Sequence, residues 1–539
     1  MAVGSVYRRR SPAKPAMEPQ NNLMLEAQKS VVLESSTQRI SDVVSLWAER
    51  SPDQQALGED SGEWTYGELA SAIASTRDWL LACGVRPGDR VVLVCENCRA
   101  FVAFLLALAS FDAWAVLVNA RLSPRELDQI REHCEARLVV YTTAISPHAT
   151  QHAERHAATI EHLGAIGQIG FGPVNGDSRP EPVDANPANN VAALIYTSGT
   201  TGLPKGAMLT HGNLLFLAAV SSKIRKLTPS DRVYGVLPMS HAVGLSVVLL
   251  GTLLSGGTVY LTQRFDPIAA RAALEKNRIT VMLGVPSMFA QMLDYAKLRG
   301  LASLKVPSLR IISSSGAPLH ADLKAEAERL FALPLHNGYG VTECSPTIAQ
   351  ANVEHPRSDT SVGEVLPGTE VRLVGRDGES VSKGEVGELW VRGPHVMKGY
   401  YRAPEDTARA INVEGWFNTR DLARLEDNNL FIVGRTQELI VRFGFNVYPA
   451  EVEAVLNAHA AVVKSAVMGR PAEGNGGEDV IAFVQLRPDS AVTAGHLARY
   501  TAERLAPYKQ PTRIVLVTEL PCTPTGKIAK SELSKLQFG

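Results

Sequence analysis

The sequence predicts an α/β fold: a large N-terminal domain of mainly parallel, helix-covered sheets with a β-rich subdomain, then a small α+β C-terminal domain. Three observations carry this. At 539 residues, 45% apolar and 20% charged, the chain is too long for one compact core but apolar enough to bury a sizeable interior. From about residue 40, helical and strand-like segments alternate, the rhythm of βαβ units with ligand loops at the strands' C-terminal ends. From Ser361 that rhythm gives way to short strands separated by turn residues.

Taken in order, residues 1–35 read as a disordered extension. "MAVGSVYRRRSPAKPAMEPQNN" has three arginines but no apolar core, so it is no secretory signal. A start at Met17 or Met24 is conceivable, and a cytoplasmic location is the default. Residues 36–435 form the expected N-terminal domain. In it "DVVSLWAER" suits a helix, "RVVLVCEN" a strand, "FVAFLLALAS" a buried helix and "ARLVVYTT" a strand. "RVYGVLPM", "TVMLGVP" and "LRIISSSG" are short β-branched runs that end in Gly, Pro or Ser. Within about 361–435, "EVRLVGRDG", "GELWVRG" and "LARLEDNNLFIVGR" make the β-rich part. Residues 436–539 supply a helix, "AEVEAVLNAH", and two strands, "KSAVMGR" and "DVIAFVQL".

Two long apolar stretches read as helix, turn and strand rather than as membrane spans. "AFVAFLLALASFDAWAVLVN" is broken by Asp112, and "AVGLSVVLLGTLLSGGTVYL" by Gly256-Gly257. No integral membrane span is expected. A net charge of −1 gives no electrostatic reason to expect nucleic acid as a partner. Six cysteines make no disulfide framework. Cys95 and Cys98 lack a second ligand pair for zinc and read as small buried residues. His148, His152 and His156 recur every four residues and read as the solvated face of a surface helix.

The stretch that suggests chemistry is "YTSGTTGLPKGAMLTHGN", Tyr196 to Asn213. Gly199 and Gly202 free the backbone to curl around an anion. Thr197, Ser198, Thr200 and Thr201 add hydroxyl donors, and Lys205 a point charge. The Walker pattern GxxxxGK[ST] is absent, so a P-loop kinase or GTPase is not implied. "NGYGVTE" adds an aromatic ring, a hydroxyl and a carboxylate after the glycine turn of "IISSSGAPL". A ring can stack on a purine, and a carboxylate can hold Mg²⁺ bound to nucleotide phosphates. Asp421 in "GWFNTRDL" and Arg435 in "FIVGRTQEL" suit ribose hydroxyls, and "LPCTPTGKIAK" places Lys527 on a Thr/Gly loop.

These five blocks, in this order, closely resemble the adenylate-forming superfamily of acyl- and aryl-CoA ligases, luciferases and peptide-synthetase adenylation domains, over residues 40 to 535. The resemblance implies ATP, Mg²⁺ and CoA as cofactors, a small-molecule carboxylic acid as substrate and a mobile C-terminal domain. Residues 197–205 would grip the β- and γ-phosphates. Gly316, Ala317, Asn337, Gly338 and Tyr339 would line the adenine slot. Thr342 would contact the α-phosphate, and Glu343, with Thr197, would hold the metal. Asp421 and Arg435 would bind the ribose, and Gly444 counts among the cofactor-binding positions. Lys527 would bridge the attacking carboxylate and the ribose or α-phosphate, His241 would stand between acyl pocket and thiol tunnel, and Gln437 would be the hinge.

Three positions depart from the family pattern: Arg420 where Gly is usual, Gln437 where Asp or Lys is usual, and Val441 where many members have lysine. An amino-acid-activating domain would need an acid near His241, and a malonate-type ligase an arginine; "PMSHAVGLSVVLL" has neither. The expected substrate is therefore an apolar aryl or medium- to long-chain acid, held by Val243, Leu245, Val247, Val248, Val285, Met288 and Phe289. The intact Glu343 and Lys527 argue against a silent nucleotide-binding regulator. A carrier-protein phosphopantetheine is the alternative thiol, and the absence of a carrier domain after Gly539 favours CoA.

Overall fold

The computed structural model describes residues 37–197, 205–375, 377–442, 445–472, 478–488, 490–522 and 528–533. Its first sheet is built on the runs Arg90–Cys95, Trp114–Asn119 and Leu138–Tyr141. These are almost wholly buried, and apolar side chains, valine first among them, dominate them, as a strand covered on both faces requires. They pair in parallel, and Val191–Thr197 joins them as a fourth parallel strand. That strand then turns back into the antiparallel Lys205–Thr210, with Gly399–Tyr400 outside it.

A second sheet of 13 strands contains the parallel set Gln55–Glu59, Thr258–Leu261, Arg232–Gly235, Val281–Gly284, Ile311–Ser314 and Leu335–Gly340. The short strands after residue 346 extend the same sheet in antiparallel fashion, beginning with Thr347–Gln350 against Leu335–Gly340. Between the sheets lies helix Arg99–Ser110, with every residue from Phe101 to Ala109 buried. It is apolar on all sides because it is covered on all sides.

Both long apolar stretches resolve as helix, turn and strand. The first gives Arg99–Ser110 and Trp114–Asn119. The second begins as a π-helix, Val243–Leu250, continues as Gly251–Leu254, and returns as strand Thr258–Leu261. Among the described residues no helix is long and apolar enough to cross a membrane.

The C-terminal domain has its own core, in which Val452, Leu456, Val467, Val480, Val484 and Leu497 are fully buried. Helix Pro449–Asn457 and helix Ala494–Ala502 pack on a three-stranded sheet, Val462–Pro471, Glu478–Leu486 and Arg513–Val517. The expected extension, residues 1–35, lies outside the described residues.

One expectation needs correction. The histidines of helix Pro147–Arg155 do not form a solvated face. His152 is buried, with Nε2 at 3.1 Å from the Ala120 carbonyl and 3.0 Å from that of Leu122. His156 Nε2 lies 3.0 Å from Asp128, and its Nδ1 meets the Tyr141 hydroxyl. Polar side chains here satisfy loop carbonyls that packing has cut off from water. Among the described residues no group of three metal-ligating side chains forms.

Candidate active site

The parallel strands set the position of the site. Arg232–Gly235, Val281–Gly284, Ile311–Ser314 and Leu335–Gly340 lie in register, side by side. Their C-terminal ends therefore deliver, along one edge, His241, then Val285 and Met288, then Gly316 and Ala317, then Tyr339 to Glu343. Open α/β sheets bind ligands at this edge.

Local sequence explains each approach. Gly316 holds φ +81°, and its missing side chain leaves Val285 3.6 Å from where a Cβ would stand. At Gly340 a Cβ would come within 1.9 Å of the Pro346 carbonyl oxygen. Only glycine lets the chain turn there into the short 3₁₀ helix Thr342–Cys344. The loop before His241 is held by Asn97, which is buried. Asn97 Nδ2 donates to the carbonyls of Gly235 (2.9 Å) and Leu237 (3.0 Å), and its Oδ1 accepts from the Met239 amide at 2.8 Å. The π-helix starts two residues after His241, and such wide turns collect at functional sites.

A chain of contacts links the expected nucleotide-binding residues. Thr197 and Lys205 face each other across the antiparallel pair, and the Thr197 hydroxyl donates to the Lys205 carbonyl at 3.4 Å. Lys205 Nζ pairs with Asp406 at 2.8 Å and stands 5.5 Å from the centre of the Tyr400 ring. The Tyr400 hydroxyl donates to Glu343 Oε1 at 2.8 Å, and the Met397 amide fixes the Glu343 carbonyl at 2.8 Å. Burial and the adjoining Glu343 charge push the Tyr400 phenol far above its ordinary range, so it remains a donor.

On the other side, the Tyr339 hydroxyl donates to Asp421, which also pairs with Arg435 at 3.2 Å. Burial and the Asp421 carboxylate hold Tyr339 protonated well above the usual phenol range. The Thr419 hydroxyl accepts from the Asp421 amide at 3.1 Å and sets the carboxylate's place on the strand. Asn337 is buried, and its Nδ2 donates to the Thr360 carbonyl at 3.0 Å while its Oδ1 accepts from the Gly338 amide at 3.0 Å.

Of the expected site residues, Thr197, Lys205, Glu343, Tyr339, Asp421 and Arg435 thus lie along two short contact chains, Thr342 precedes Glu343, and Asn337 and Gly338 precede Tyr339. Gly316, Ala317 and His241 stand at neighbouring strand ends. Ser198, Gly199, Thr200, Thr201, Gly202, Gly444 and Lys527 lie outside the described residues. The backbone of Gln437 sits in the 3₁₀ turn Thr436–Glu438.

Sequence reasoning missed Asn97, Tyr400 and Asp406. Their roles are set by partners distant in the chain, and only the GYY of "MKGYYRA" offered a local signal. Among the expected acyl-pocket residues, Leu245, Val247, Val248 and Phe289 are core residues. Val243, Val285 and Met288 are only partly buried and remain available to a ligand.

The AMP-binding enzyme family matches residues 44–401, and the AMP-binding enzyme C-terminal domain matches residues 451–527. The chain belongs to the AMP-binding enzyme family. A relative within it, a feruloyl-CoA synthase of Amycolatopsis sp, is 36% identical over 496 residues, covering 91% of this chain and 97% of the relative. An indoleacetate–CoA ligase of Aromatoleum aromaticum is 32% identical over 506 residues, covering 92% and 98%. A 4-coumarate–CoA ligase 3 of Oryza sativa subsp. japonica is 31% identical over 493 residues, covering 88% of each. Among solved structures, ATP-bound MatB from Rhodopseudomonas palustris superposes with a TM-score of 0.81 at 29% identity, covering 92% of this chain and 98% of that one. The O-succinylbenzoate coenzyme A synthetase MenE from Bacillus subtilis, in complex with ATP and magnesium ion, superposes with a TM-score of 0.79 at 28% identity, covering 92% and 99%.

The residues present fit a magnesium ion carried in by nucleotide. Glu343 offers one carboxylate, oriented by Tyr400 through Oε1. Mg²⁺ prefers one or two carboxylates plus phosphate oxygens and water over a closed protein cage.

Proposed function

We propose that this AMP-binding enzyme activates an aryl or arylalkenyl monocarboxylic acid of the feruloyl, coumaroyl or indoleacetyl kind and passes it to CoA. The chain is an ATP-dependent acid–thiol ligase that works through an acyl-adenylate. A carboxylate is a poor acyl donor because its leaving group is oxide. Attack by a carboxylate oxygen on the α-phosphorus of ATP expels pyrophosphate and converts that oxide into AMP. The CoA thiolate then attacks the acyl carbon, and AMP leaves. Glu343 and Thr197 would hold Mg²⁺, which shields the polyphosphate charge while the P–O bond breaks.

The observation that carries the substrate class is the set of aryl-acid CoA ligases to which the chain is similar over about nine-tenths of its length. The site supports it. Val243, Val285 and Met288 are partly buried apolar residues, Val285 beside Gly316, and ring burial there is favourable by about 25 cal/mol per Å². A buried second carboxylate without a partner would cost several kcal/mol. Tyr339, Asp421 and Arg435 would hold adenine and ribose, and Lys205 the outer phosphates. The N-terminal domain would end near Arg435, and a cytoplasmic location fits the metabolites used.

The test is pyrophosphate release across ferulate, coumarate, indoleacetate, octanoate and malonate, with and without CoA. Aryl acids should turn over fastest. Preference for malonate in competition would refute the reading.

A further inference from the structure

Gln350 carries a buried carboxamide that the fold leaves without a partner. Only 3% of the residue is exposed, yet among the described residues neither its Nε2 nor its Oε1 finds a hydrogen bond. Buried polar groups are almost always bonded, so one with both ends bare calls for a cause.

The sheet shows where this amide stands. Gln350 pairs with Gly338 across the antiparallel strands Leu335–Gly340 and Thr347–Gln350, and its Cγ lies 3.7 Å from where a Gly338 Cβ would be. The two residues therefore share a face. In the parallel strands Gly284, Ser314 and Asn337 are in register, and the Ser315 amide continues the ladder by donating to the Gly284 carbonyl at 3.1 Å. The next row across the sheet is thus Val285, Ser315, Gly338 and Gln350.

Alternation decides which way that row faces. Val281, Leu283 and Ile311, in step with it, share a core with Leu245, Val247 and Val248 of the π-helix; Met282, Ile312 and Leu335, out of step, belong to another core. The row thus faces the helix that begins two residues after His241. Between Val285 and Gln350 it holds only a serine and a glycine, both partly exposed. Three strand spacings, about 14 Å, separate the valine from the glutamine, and the small residues between them leave a trough wide enough for an aromatic ring. Thr342, expected at the α-phosphate, lies four residues beyond Gly338, about 13 Å of extended chain. Gln350 therefore stands at the end of the trough away from the phosphates.

We propose that Gln350 reads a hydroxyl on the far end of the acid's ring, Nε2 donating to the phenol oxygen while Oε1 accepts the phenol proton. One hydroxyl satisfies both bare atoms, whereas an unsubstituted ring or an alkyl chain leaves both unpaired. This rests on the aryl-acid reading above and narrows it to 4-hydroxylated rings.

The test is kcat/KM for 4-coumarate and cinnamate, which differ only by that hydroxyl, with octanoate alongside. Thioester formation would be followed in the full chain as wild type, Gln350→Met and Gln350→Glu. The wild type should favour coumarate over cinnamate by roughly tenfold or more. Methionine keeps the length of the side chain without its polar ends, so in Gln350→Met the ratio should fall to near one. Gln350→Glu, which keeps an acceptor but no donor, should retain part of the preference. The thermal midpoint of ligand-free Gln350→Met should not fall, since no bond within the fold is lost. A wild-type ratio near one, an unchanged ratio in Gln350→Met, or a lowered midpoint in that variant would overturn the proposal. A wild type that turns over octanoate faster than either aryl acid would overturn the aryl-acid reading itself, before any variant was compared.

Discussion

Lys530 Nζ lies 2.7 Å from Glu438 Oε2 and ties the segment after Gln437 to the C-terminal domain. The same ammonium pairs with Glu453 at 2.9 Å. Two residues before Glu438, the Thr436 hydroxyl donates at 2.8 Å to Glu388, on a strand of the large sheet. One residue, Gln437, separates a tether to each body. A rotation between them would concentrate there, because hinges are the few positions free to absorb a large φ/ψ change. Gln437→Pro, which fixes φ near −65°, should impair thioester formation from supplied acyl-AMP while largely sparing adenylation. Lys527→Ala should do the reverse. Single-turnover assays of each half-reaction separate the two; equal loss of both steps in both variants contradicts a two-position site.

Tyr400→Phe removes the donor that orients Glu343. Partners behind a metal-binding carboxylate typically matter tenfold or more for metal affinity. The variant should need about ten times more Mg²⁺ for half-maximal pyrophosphate release, with affinity for the carboxylic acid unchanged. A magnesium titration of initial rates checks this.

Asn97→Ala removes the side-chain partner of the Gly235, Leu237 and Thr262 carbonyls and of the Met239 amide, of which the Gly235 carbonyl keeps the Thr262 amide. Each buried orphan costs about 1–3 kcal/mol, so urea denaturation should show a loss of several kcal/mol. Asn97→Asp, which keeps the acceptor but not the donors, should recover only part. Full stability in Asn97→Ala would show that the loop has other support.

The buried histidines set an acid limit on stability. Burial holds His395 at about 4, and burial together with the nearby Lys324 and Arg225 charges holds His336 at about 4. Both values lie below the ordinary 6.5, so the unfolded chain binds these protons more readily than the folded one. Their stabilising contribution is complete above pH 6.5 and is lost as pH falls from 6.5 to 4, by about 1.4 kcal/mol per pH unit for each group. His395→Gln should flatten the fall of the urea midpoint over that window by one proton's share. An unchanged slope would exclude His395 as a source.

Much of this was legible in the sequence, and the rest was not for physical reasons. The strands Arg90–Cys95, Leu138–Tyr141, Arg232–Gly235, Val281–Gly284 and Ile311–Ser314 read correctly because short runs rich in β-branched residues and bounded by turn residues leave few alternatives. The expected nucleotide-binding positions are proposed through motif blocks, each contiguous in the chain. Asn97, Tyr400 and Asp406 could not be read that way. Each acts on a group 57 to 201 residues away, and nothing in the neighbouring sequence marks it. The helix Pro147–Arg155 failed for a related reason. A four-residue repeat of histidines describes a face, but what covers that face is decided by the loop at Ala120 and Leu122.

Activation of the acid as an adenylate before the thiol arrives can be followed in the products themselves. The full chain would be incubated with ferulate, ATP and Mg²⁺, first without and then with CoA. Pyrophosphate and enzyme-held feruloyl-AMP are expected without CoA, then AMP and feruloyl-CoA in equal amounts after CoA is added. Formation of ADP and phosphate, or the absence of pyrophosphate until CoA is present, would contradict it.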